Sequence, residues 1–146
     1  PCQPRDADQR VVIPETGLAT YPDLSIVCGK RIPHPDDRHA LTNPTVLFEV
    51  LSPTSAGYDG GQTFDHYKQL GTLRQYVLVD SEHIHISLFT RDELGRWIQA
   101  GLGAGAMVNL ESAGITISVD ELYQGWAEER AIDLGLPWPP TAKSVE

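Results

Sequence analysis

The sequence is short of cysteine, of basic residues and of long hydrophobic runs. Its two cysteines, Cys2 and Cys28, are too few for a disulfide framework, so we expect free thiols in a cytoplasmic protein. No apolar run reaches the length of a membrane helix, and no signal peptide opens the sequence. A hydrophobic content of 40% excludes a disordered chain, and 146 residues suit one domain with a real core.

Basic residues are outnumbered by acids, 11 against 20, which gives a net charge of −9. Strong non-specific binding to nucleic acid depends on neutralising phosphates, so this charge opposes it. A nuclease is not excluded, because a bound cation and a local basic strip can outweigh a global acidic balance. Acids are concentrated in the last quarter, at Glu121, Glu128, Glu129, Asp133 and Glu146.

The chain begins with Pro1, and its first dozen residues, PCQPRDADQRVV, are typical of a loop and strand inside a longer protein. We therefore expect an N-terminal segment before Pro1. An intact mass of the source protein that matched 146 residues would contradict this expectation. Residues 1–135 are predicted to form a single domain lacking its N-terminal part, and residues 136–146 a proline-rich tail.

Most of the chain has strand patterns. The apolar run TVLFEVLS, residues 45–52, is typical of a buried central strand that ends at Pro53. Further strands are predicted at 10–13, 24–29 and 75–80, and IHISLFTRD and GRWIQAGL form a predicted hairpin. MVNL and ITIS are predicted late strands, whereas KRIPHPDDRHALTNP, with its prolines and polar residues, is predicted to be a loop.

One segment has the spacing of a helix. From Asp59 to Leu70, the apolar residues Phe64, Tyr67 and Leu70 lie three apart and share a face. A second, shorter helix is predicted in SVDELYQGWAEER, capped by a side chain at its start, either Ser118 or Asp120. The order of elements predicts an α/β (α+β) fold with a mixed sheet flanked by helices.

Two carboxylates in apolar strands are the strongest indication of function. Asp23 begins the strand in YPDLSIVCG, and Glu49 lies inside VLFEVLS with leucines on its own face. A buried carboxylate is costly unless it is compensated, and a divalent cation compensates two acids that converge. The two acids, a backbone carbonyl of the Glu49 strand such as that of Val50, and waters form an oxygen shell suited to Mg²⁺ or Mn²⁺.

Four motifs in order give the chain a resemblance to a known group. YPDLSIVCG, NPTVLFEVLSPTSAGYD, FDHYKQLGTLRQYVLVD and VDELY resemble the bacterial Uma-two family of restriction endonucleases, which has the PD-(D/E)xK nuclease fold. The resemblance runs from Cys2 to Tyr123. It implies that Asp23 and Glu49 are metal-binding acids of a DNA-cleaving hydrolase, and that family members carry further structure before the segment aligned with Cys2.

The chain departs from this family at the lysine that the site normally needs. The usual position, two residues after the glutamate, is Leu51 here. Uma-two proteins resemble nucleases whose lysine has moved to the following helix, where this chain reads DGGQTF over residues 59–64. Thr63 stands where the lysine is expected, Gly60 where an arginine is common and Gln62 where a glutamate is common. An impaired nuclease, or one using an unusual group, is therefore expected.

Three side chains are candidates to replace the lysine. Lys68 lies about 140° around the helix from Thr63, so we expect it to point away from the site. His66 is three residues after Thr63 and shares its face, so it could act as a base or position a water. Lys30, just beyond the Asp23 strand, is a further candidate.

Each feature also has a structural interpretation. Asp23 after Pro22 could cap a turn, and Glu49 could form a salt bridge to Arg74. The histidines in HPDDRH, and the pair His83 and His85 on one predicted strand face, lack a complete ligand set for zinc and favour ordinary surface roles. Asp80 is expected to cap a turn. Tyr58, Tyr67, Trp97, Trp126 and Trp138 are predicted to be packing residues.

Two hypotheses from different classes follow. The first is a Mg²⁺- or Mn²⁺-dependent endonuclease acting on DNA, with Asp23 and Glu49 on the ion and Gln62, Thr63 and His66 lining the site. The second is a catalytically inactive nuclease fold that serves as a binding or assembly module. A third, a metal-binding protein without nucleic acid, fits the charge of −9. A homodimer is expected by analogy, because nucleases of this type often need two subunits to cut both strands.

Overall fold

A computed structural model of the chain describes residues 1–52 and 61–140. Within these residues, apolar β-branched runs form strands and turn residues separate them. The strands are β1 Cys2–Arg5, β2 Val11–Val12, β3 Ala19–Thr20, β4 Leu24–Cys28, β5 Pro33–His34, β6 Asp37–Leu41, β7 Val46–Leu51, β8 Gln75–Asp80, β9 Ile86–Arg91, β10 Trp97–Leu102, β11 Met107–Leu110 and β12 Ile115–Ser118. The α-helices are α1 Thr63–Tyr67, α2 Val119–Leu122 and α3 Trp126–Asp133.

The main sheet has six strands in the order β1-β4-β7-β8-β9-β10. Its central pair, β7 and β8, is parallel, and the other neighbours are antiparallel. Segment 53–74, which contains α1, connects the parallel pair, as a parallel connection requires. This mixed sheet with a few helices confirms the predicted fold class. No helix in the described part of the chain is long and apolar enough to cross a membrane.

The two faces of β7 build two cores. Leu47 packs in a cluster with Tyr67 of α1 and Tyr76 of β8, whereas Val46 and Phe48 pack in a second cluster on the other side. The alternation of side chains along a strand produces this division, so a continuous apolar run serves both faces. The predicted strand pattern around Glu49 is confirmed, and it leaves that carboxylate on the α1 side of the sheet.

Residues 30–44, predicted to be a loop, contain the hairpin of β5 and β6, so that prediction is wrong. The two strands belong to a second sheet in the order β3-β2-β6-β5. Asp37 Oδ1 accepts a hydrogen bond from the His39 N–H at 2.9 Å, and Asp37 Oδ2 pairs with the Arg10 guanidinium at 3.0 Å. Prolines and charged residues concealed this hairpin, because only Ala40 and Leu41 of its two short strands are buried and they do not give the apolar alternation of a half-buried strand.

The cysteines form a disulfide between Cys2 and Cys28, which contradicts the prediction of free thiols. Strands β1 and β4 pair antiparallel in a register that places these two residues opposite each other, with 4.0 Å between their Cα atoms. Their separation of 26 residues concealed this proximity in the sequence. The cysteines therefore give no support to a cytoplasmic location.

Helix α1 is shorter than the predicted helix over residues 59–70, of which 59 and 60 lie outside the described part of the chain. After Tyr67 the backbone tightens, since the N–H of Leu70 bonds the Tyr67 carbonyl at 3.0 Å. Arg91 then donates to the carbonyls of Lys68 and Leu70, at 2.6 and 3.2 Å, and ends the helix. The predicted apolar face is confirmed, because Phe64, Tyr67 and Leu70 are all buried.

The turn after β8 is held by Asp80, as predicted. Its Oδ1 accepts hydrogen bonds from the backbone N–H groups of Glu82 and His83, at 2.7 and 3.1 Å. Tyr123 Oη donates to the Asp80 carbonyl at 2.6 Å, and Trp126 Nε1 to the Ser81 carbonyl at 2.9 Å. These bonds fasten the α2–α3 segment to the turn.

Ser118 provides the predicted cap of α2, accepting from the Glu121 N–H at 2.9 Å.

The Asp80 cap should make stability depend on pH. Burial raises the pKa of Asp80, but the backbone hydrogen bonds from Glu82 and His83 outweigh burial and lower it below the ordinary 3.8. The charge therefore stabilises the fold above about pH 4, and this contribution disappears as pH falls through the depressed pKa. We expect Asp80→Asn to be less stable than wild type in urea at pH 7, with the difference shrinking toward pH 3. A constant difference across this range would contradict the assignment, and Asp36→Asn, in an exposed turn, is the control.

Candidate active site

Asp23 lies beside the carboxyl-terminal end of β7. It directly precedes β4, whose antiparallel register pairs Leu24 with Phe48, so one further step places Asp23 opposite Glu49. The exposed Asp23 carboxylate accepts a hydrogen bond from the Val50 N–H, with 2.7 Å between Oδ2 and N. The structure therefore brings together the two acids and the backbone of Val50.

Glu49 is buried, with 9% of its surface exposed. Its Oε1 accepts a hydrogen bond from the Tyr67 hydroxyl at 2.9 Å. The same hydroxyl lies 3.0 Å from Thr20 Oγ1, so a series of hydrogen bonds connects β3 through α1 to β7. The hydroxyl donor fixed against this carboxylate offsets part of the cost of burying it. Tyr67 is itself fully buried, which leaves its hydroxyl little freedom to turn away.

Thr63 and His66, the residues predicted to line the site, both belong to α1. Thr63 is 2% exposed and lies one turn before Tyr67, on the same side of the helix. In the part of the chain described, neither Thr63 Oγ1 nor His66 Nδ1 has a hydrogen-bond partner, although both atoms are buried. Gln62 is exposed at the start of the helix, and Asp59 and Gly60 lie outside the described residues.

The lysines proposed as substitutes are engaged elsewhere or distant. Lys68 Nζ lies 3.5 Å from Asp65 Oδ1 and 4.5 Å from the centre of the Phe64 ring. Lys30 follows the opposite end of β4, about 20 Å from Asp23 at the usual rise per residue. The alternative salt bridge from Glu49 to Arg74 is not formed, because Arg74 lies before β8 and bonds through its N–H to the Thr45 carbonyl at the other end of β7.

The histidines for which a metal-ligand role was the less favoured alternative are not clustered. In the described ranges, no three side chains of His, Cys, Asp or Glu converge to hold an ion. His83 lies in the turn before β9, where its Nδ1 is 3.6 Å from Asp80, whereas His85 Nε2 is 3.4 Å from Ser87 Oγ. The prediction that these histidines share a strand face is therefore wrong.

The tryptophans have different surroundings. Trp97 packs edge-on against Phe64 at 5.1 Å and Trp126 against Tyr123 at 5.6 Å, as predicted for packing residues. Trp138 is 46% exposed, so a packing role is wrong for that residue. Tyr58 lies outside the described residues.

Tyr67 is the residue that sequence reasoning underestimated. It was predicted only as core, whereas its hydroxyl contacts the candidate metal-binding glutamate. Its spacing contained the signal, since Tyr67 comes four residues after Thr63, the position expected to carry the lysine. A polar tip on that helix face reaches the same side of β7 as Glu49.

Removing the Tyr67 hydroxyl should destabilise the fold. We expect Tyr67→Phe to lower the free energy of unfolding by about 1.5–3 kcal/mol, since a buried hydrogen bond to a charged group is lost while the ring still packs. Urea denaturation at pH 7 measures this. Tyr21→Phe is the matched control because Tyr21 is 61% exposed. Equal stability of the two variants would show that the contact with Glu49 contributes nothing.

Comparison with known proteins supports a nuclease-like family. Residues 1–122 match the Uma2 family model, described as "Putative restriction endonuclease". The fold is similar to the crystal structure of a "putative nuclease belonging to DUF820" from Anabaena variabilis, with a TM-score of 0.67 and 17% identity over 86% of this chain and 69% of that chain. At this identity the likeness establishes the fold alone.

Two proteins of Synechocystis sp. are similar in sequence. The uncharacterized protein slr1290 is 33% identical over 129 residues, which cover 86% of this chain and 65% of that protein. The uncharacterized protein sll1609 is 34% identical over 74 residues, which cover 51% of this chain and 42% of that protein. The chain thus spans less than two thirds of the length of each relative. Because the family model matches residues 1–122, the chain belongs to the Uma2 (Uma-two) family, which is of the restriction-endonuclease type.

Proposed function

We propose that the chain contributes the active site of a divalent-metal-dependent endonuclease that hydrolyses DNA phosphodiester bonds. Asp23 and Glu49 are the metal-binding acids, and the Val50 carbonyl is the third oxygen ligand. The observation that supports this most is the 2.7 Å hydrogen bond from the Val50 N–H to Asp23, which fixes the exposed acid at the strand end that carries Glu49. Membership of the family supports nuclease chemistry.

The donor set fits Mg²⁺ or Mn²⁺. Two carboxylates and a carbonyl are hard oxygen donors, and Mg²⁺ usually keeps several waters and takes only one or two carboxylates from a protein. When bound, such an ion lowers the pKa of a water and offsets charge that develops on a phosphate. Asp23 is exposed, so a phosphate can approach this side of the pair.

The chain's own residues position these acids. Tyr67 donates to Glu49 and keeps its carboxylate in one orientation, and Thr20 supports the Tyr67 hydroxyl. His66, with a buried Nδ1 that has no partner in the described part, is the candidate base or water-positioning group. Thr63 stands in place of the lysine and offers a hydroxyl without positive charge, so slow cleavage is expected.

The proposed substrate is DNA, which a chain of net charge −9 must bind locally rather than by a general basic surface. A bound divalent cation reduces the repulsion at the site itself. A homodimer would supply two such sites, one for each strand of the DNA duplex, by analogy with nucleases of this fold.

The test is cleavage of supercoiled plasmid by the purified protein. We expect slow conversion to nicked and linear forms in Mg²⁺ or Mn²⁺, and none when the ions are removed with EDTA. Cleavage that continues at the same rate in EDTA would contradict a metal-dependent site. The assay should be repeated at low and physiological salt, because phosphate contacts weaken as salt rises.

A second candidate is an inactive nuclease-fold module that binds a partner. Thr63 favours it, because no ammonium group stands at the position where the family pattern expects one. This candidate predicts a folded protein that shows no cleavage in any divalent ion and no loss of metal affinity in Asp23→Ala. Mn²⁺ titration by calorimetry separates it from a slow enzyme, which would bind the ion through that carboxylate.

A further inference from the structure

Strand β10 forms one edge of the main sheet, and among the described residues it pairs with β9 alone. Its middle residues, 98–101, are exposed. In the described part of the chain, no backbone hydrogen bond reaches the outer side of β10. An edge strand of this kind presents a row of N–H and C=O groups that can pair with another strand.

The backbone groups of β10 that face outward can be identified from β9. The Arg91 N–H donates to the Arg74 carbonyl at 2.9 Å, toward β8, whereas the Asp92 N–H donates to the Arg96 carbonyl at 2.8 Å. Trp97 lies opposite Arg91, so this pair is not hydrogen-bonded and the backbone groups of Trp97 point away from β9. The same alternation continues along the strand, and it makes the outward-facing residues Trp97, Gln99 and Gly101.

The two edges of the main sheet are protected differently. At the opposite edge, β1 has four residues, includes Pro4 and the charged Arg5, and is joined to β4 by the disulfide of Cys2. Proline, charge and short length are the features by which proteins prevent edge strands from pairing. Strand β10 has six residues, WIQAGL, with neither a proline nor a charged side chain, and its register with β9 has no bulge.

The charge distribution also favours a second copy at this edge. Two chains of net charge −9 repel each other in general, but β10 itself contributes no charge to that repulsion. In the adjoining turn, Asp92 is paired with Arg96 at 2.7 Å. An uncharged strand beside a neutralised acid is therefore a surface where two copies can meet.

We propose that β10 pairs antiparallel with β10 of a second copy of this chain, so that the two main sheets become continuous. The outward-facing residues fix the register: Gln99 lies opposite Gln99 of the partner subunit, and Trp97 lies opposite Gly101 of the partner subunit. In this register every outward-facing N–H and carbonyl of β10 gains a partner. Strand β10 is self-complementary, because a large residue faces one without a side chain.

The two faces of the joined sheet fit this register. The indole of Trp97 meets no side chain at Gly101 of the partner subunit. On the other face Ile98, which is 56% exposed, packs against Ala100 of the partner subunit. Strands β8 and β9 separate β10 from β7, so the interface does not depend on the proposed nuclease chemistry.

Analytical ultracentrifugation of the purified chain tests the proposal, at concentrations from about 5 µM to about 1 mM, a range that includes weak interfaces. We expect a reversible equilibrium between monomer and dimer. Gln99→Lys places two ammonium groups opposite each other and should weaken the dimer at least about fivefold. The matched control is Gln124→Lys, the same change at an exposed residue after α2, which should dimerise like wild type. Gln99 is exposed, so its variant should fold, and thermal denaturation checks this.

A mixing experiment tests the register itself. Gln99→Glu should also weaken the dimer, because two carboxylates then face each other. An equal mixture of the Gln99→Lys and Gln99→Glu variants should associate at least as tightly as wild type, since opposite charges meet. The proposal is overturned if the chain is monomeric at every concentration, if Gln99→Lys and Gln124→Lys dimerise equally, or if the mixture associates no better than its components. A monomeric chain would leave the proposed metal site unaffected, because that site lies within one copy.

Discussion

Glu49→Gln should reduce metal-dependent plasmid cleavage by at least about a thousandfold, which places it at the background of the assay. Glutamine preserves the size of the side chain and can still accept from the Tyr67 hydroxyl, so the packing around β7 is retained. It removes the negative charge that a divalent cation requires. The effect should therefore appear in the chemistry and in metal affinity, while thermal stability changes little.

The matched control is Glu15→Gln, which makes the same chemical change in an exposed turn. It should cleave like wild type. Calorimetry with Mn²⁺ should show a loss of affinity in Glu49→Gln and none in Glu15→Gln. Equal cleavage by the two variants would remove Glu49 from the reaction, and would leave its hydrogen bond to Tyr67 as a structural contact only.

Thr63→Lys should raise the rate of cleavage by about ten- to a hundredfold, which approaches what one well-placed cationic or hydrogen-bond donor contributes in other hydrolases. Thr63 lies on the side of α1 that carries Tyr67, and the Tyr67 hydroxyl reaches Glu49. A lysine there can bring its ammonium toward the same carboxylate and offset its charge. The buried Thr63 Oγ1 has no hydrogen-bond partner in the described part, so the substitution breaks no side-chain hydrogen bond there.

A control variant must separate the effect of the lysine charge from the effect of its larger side chain. Thr63→Met has a similar length and no charge, so both variants impose the same crowding at a site that is 2% exposed. We expect both to lose stability and only the lysine variant to gain activity. If the two cleave equally, the absence of a lysine is not what limits this chain, and the inactive-module hypothesis gains support.

The extent to which sequence predicted the fold depended on burial. The strand at Gln75–Asp80 and the hairpin of β9 and β10 were predicted correctly because buried residues impose a period of two or a continuous apolar run. The β5–β6 hairpin was missed because its strands are short and rich in proline and charged residues, with only Ala40 and Leu41 buried. The Cys2–Cys28 disulfide was missed because strand register, which brings these residues together, depends on contacts far apart in the chain.

The candidate site was also predictable from the sequence only in part. Asp23 and Glu49 could be paired from sequence because Glu49 interrupts an apolar strand, where a charge is costly, and Asp23 directly precedes another apolar strand. The hydrophobic pattern identifies Tyr67 only as a core residue, and its place four residues after Thr63 is the one signal that its hydroxyl faces the site.

The most direct test of the account is a crystal of the chain soaked in Mn²⁺ and measured at a wavelength where manganese scatters anomalously. We predict one strong anomalous peak between the carboxylates of Asp23 and Glu49, about 2–2.3 Å from an oxygen of each. The same soak of Glu49→Gln should lack this peak. A wild-type crystal with no peak between these acids, or with manganese bound elsewhere instead, would contradict the central claim that the pair forms a metal site.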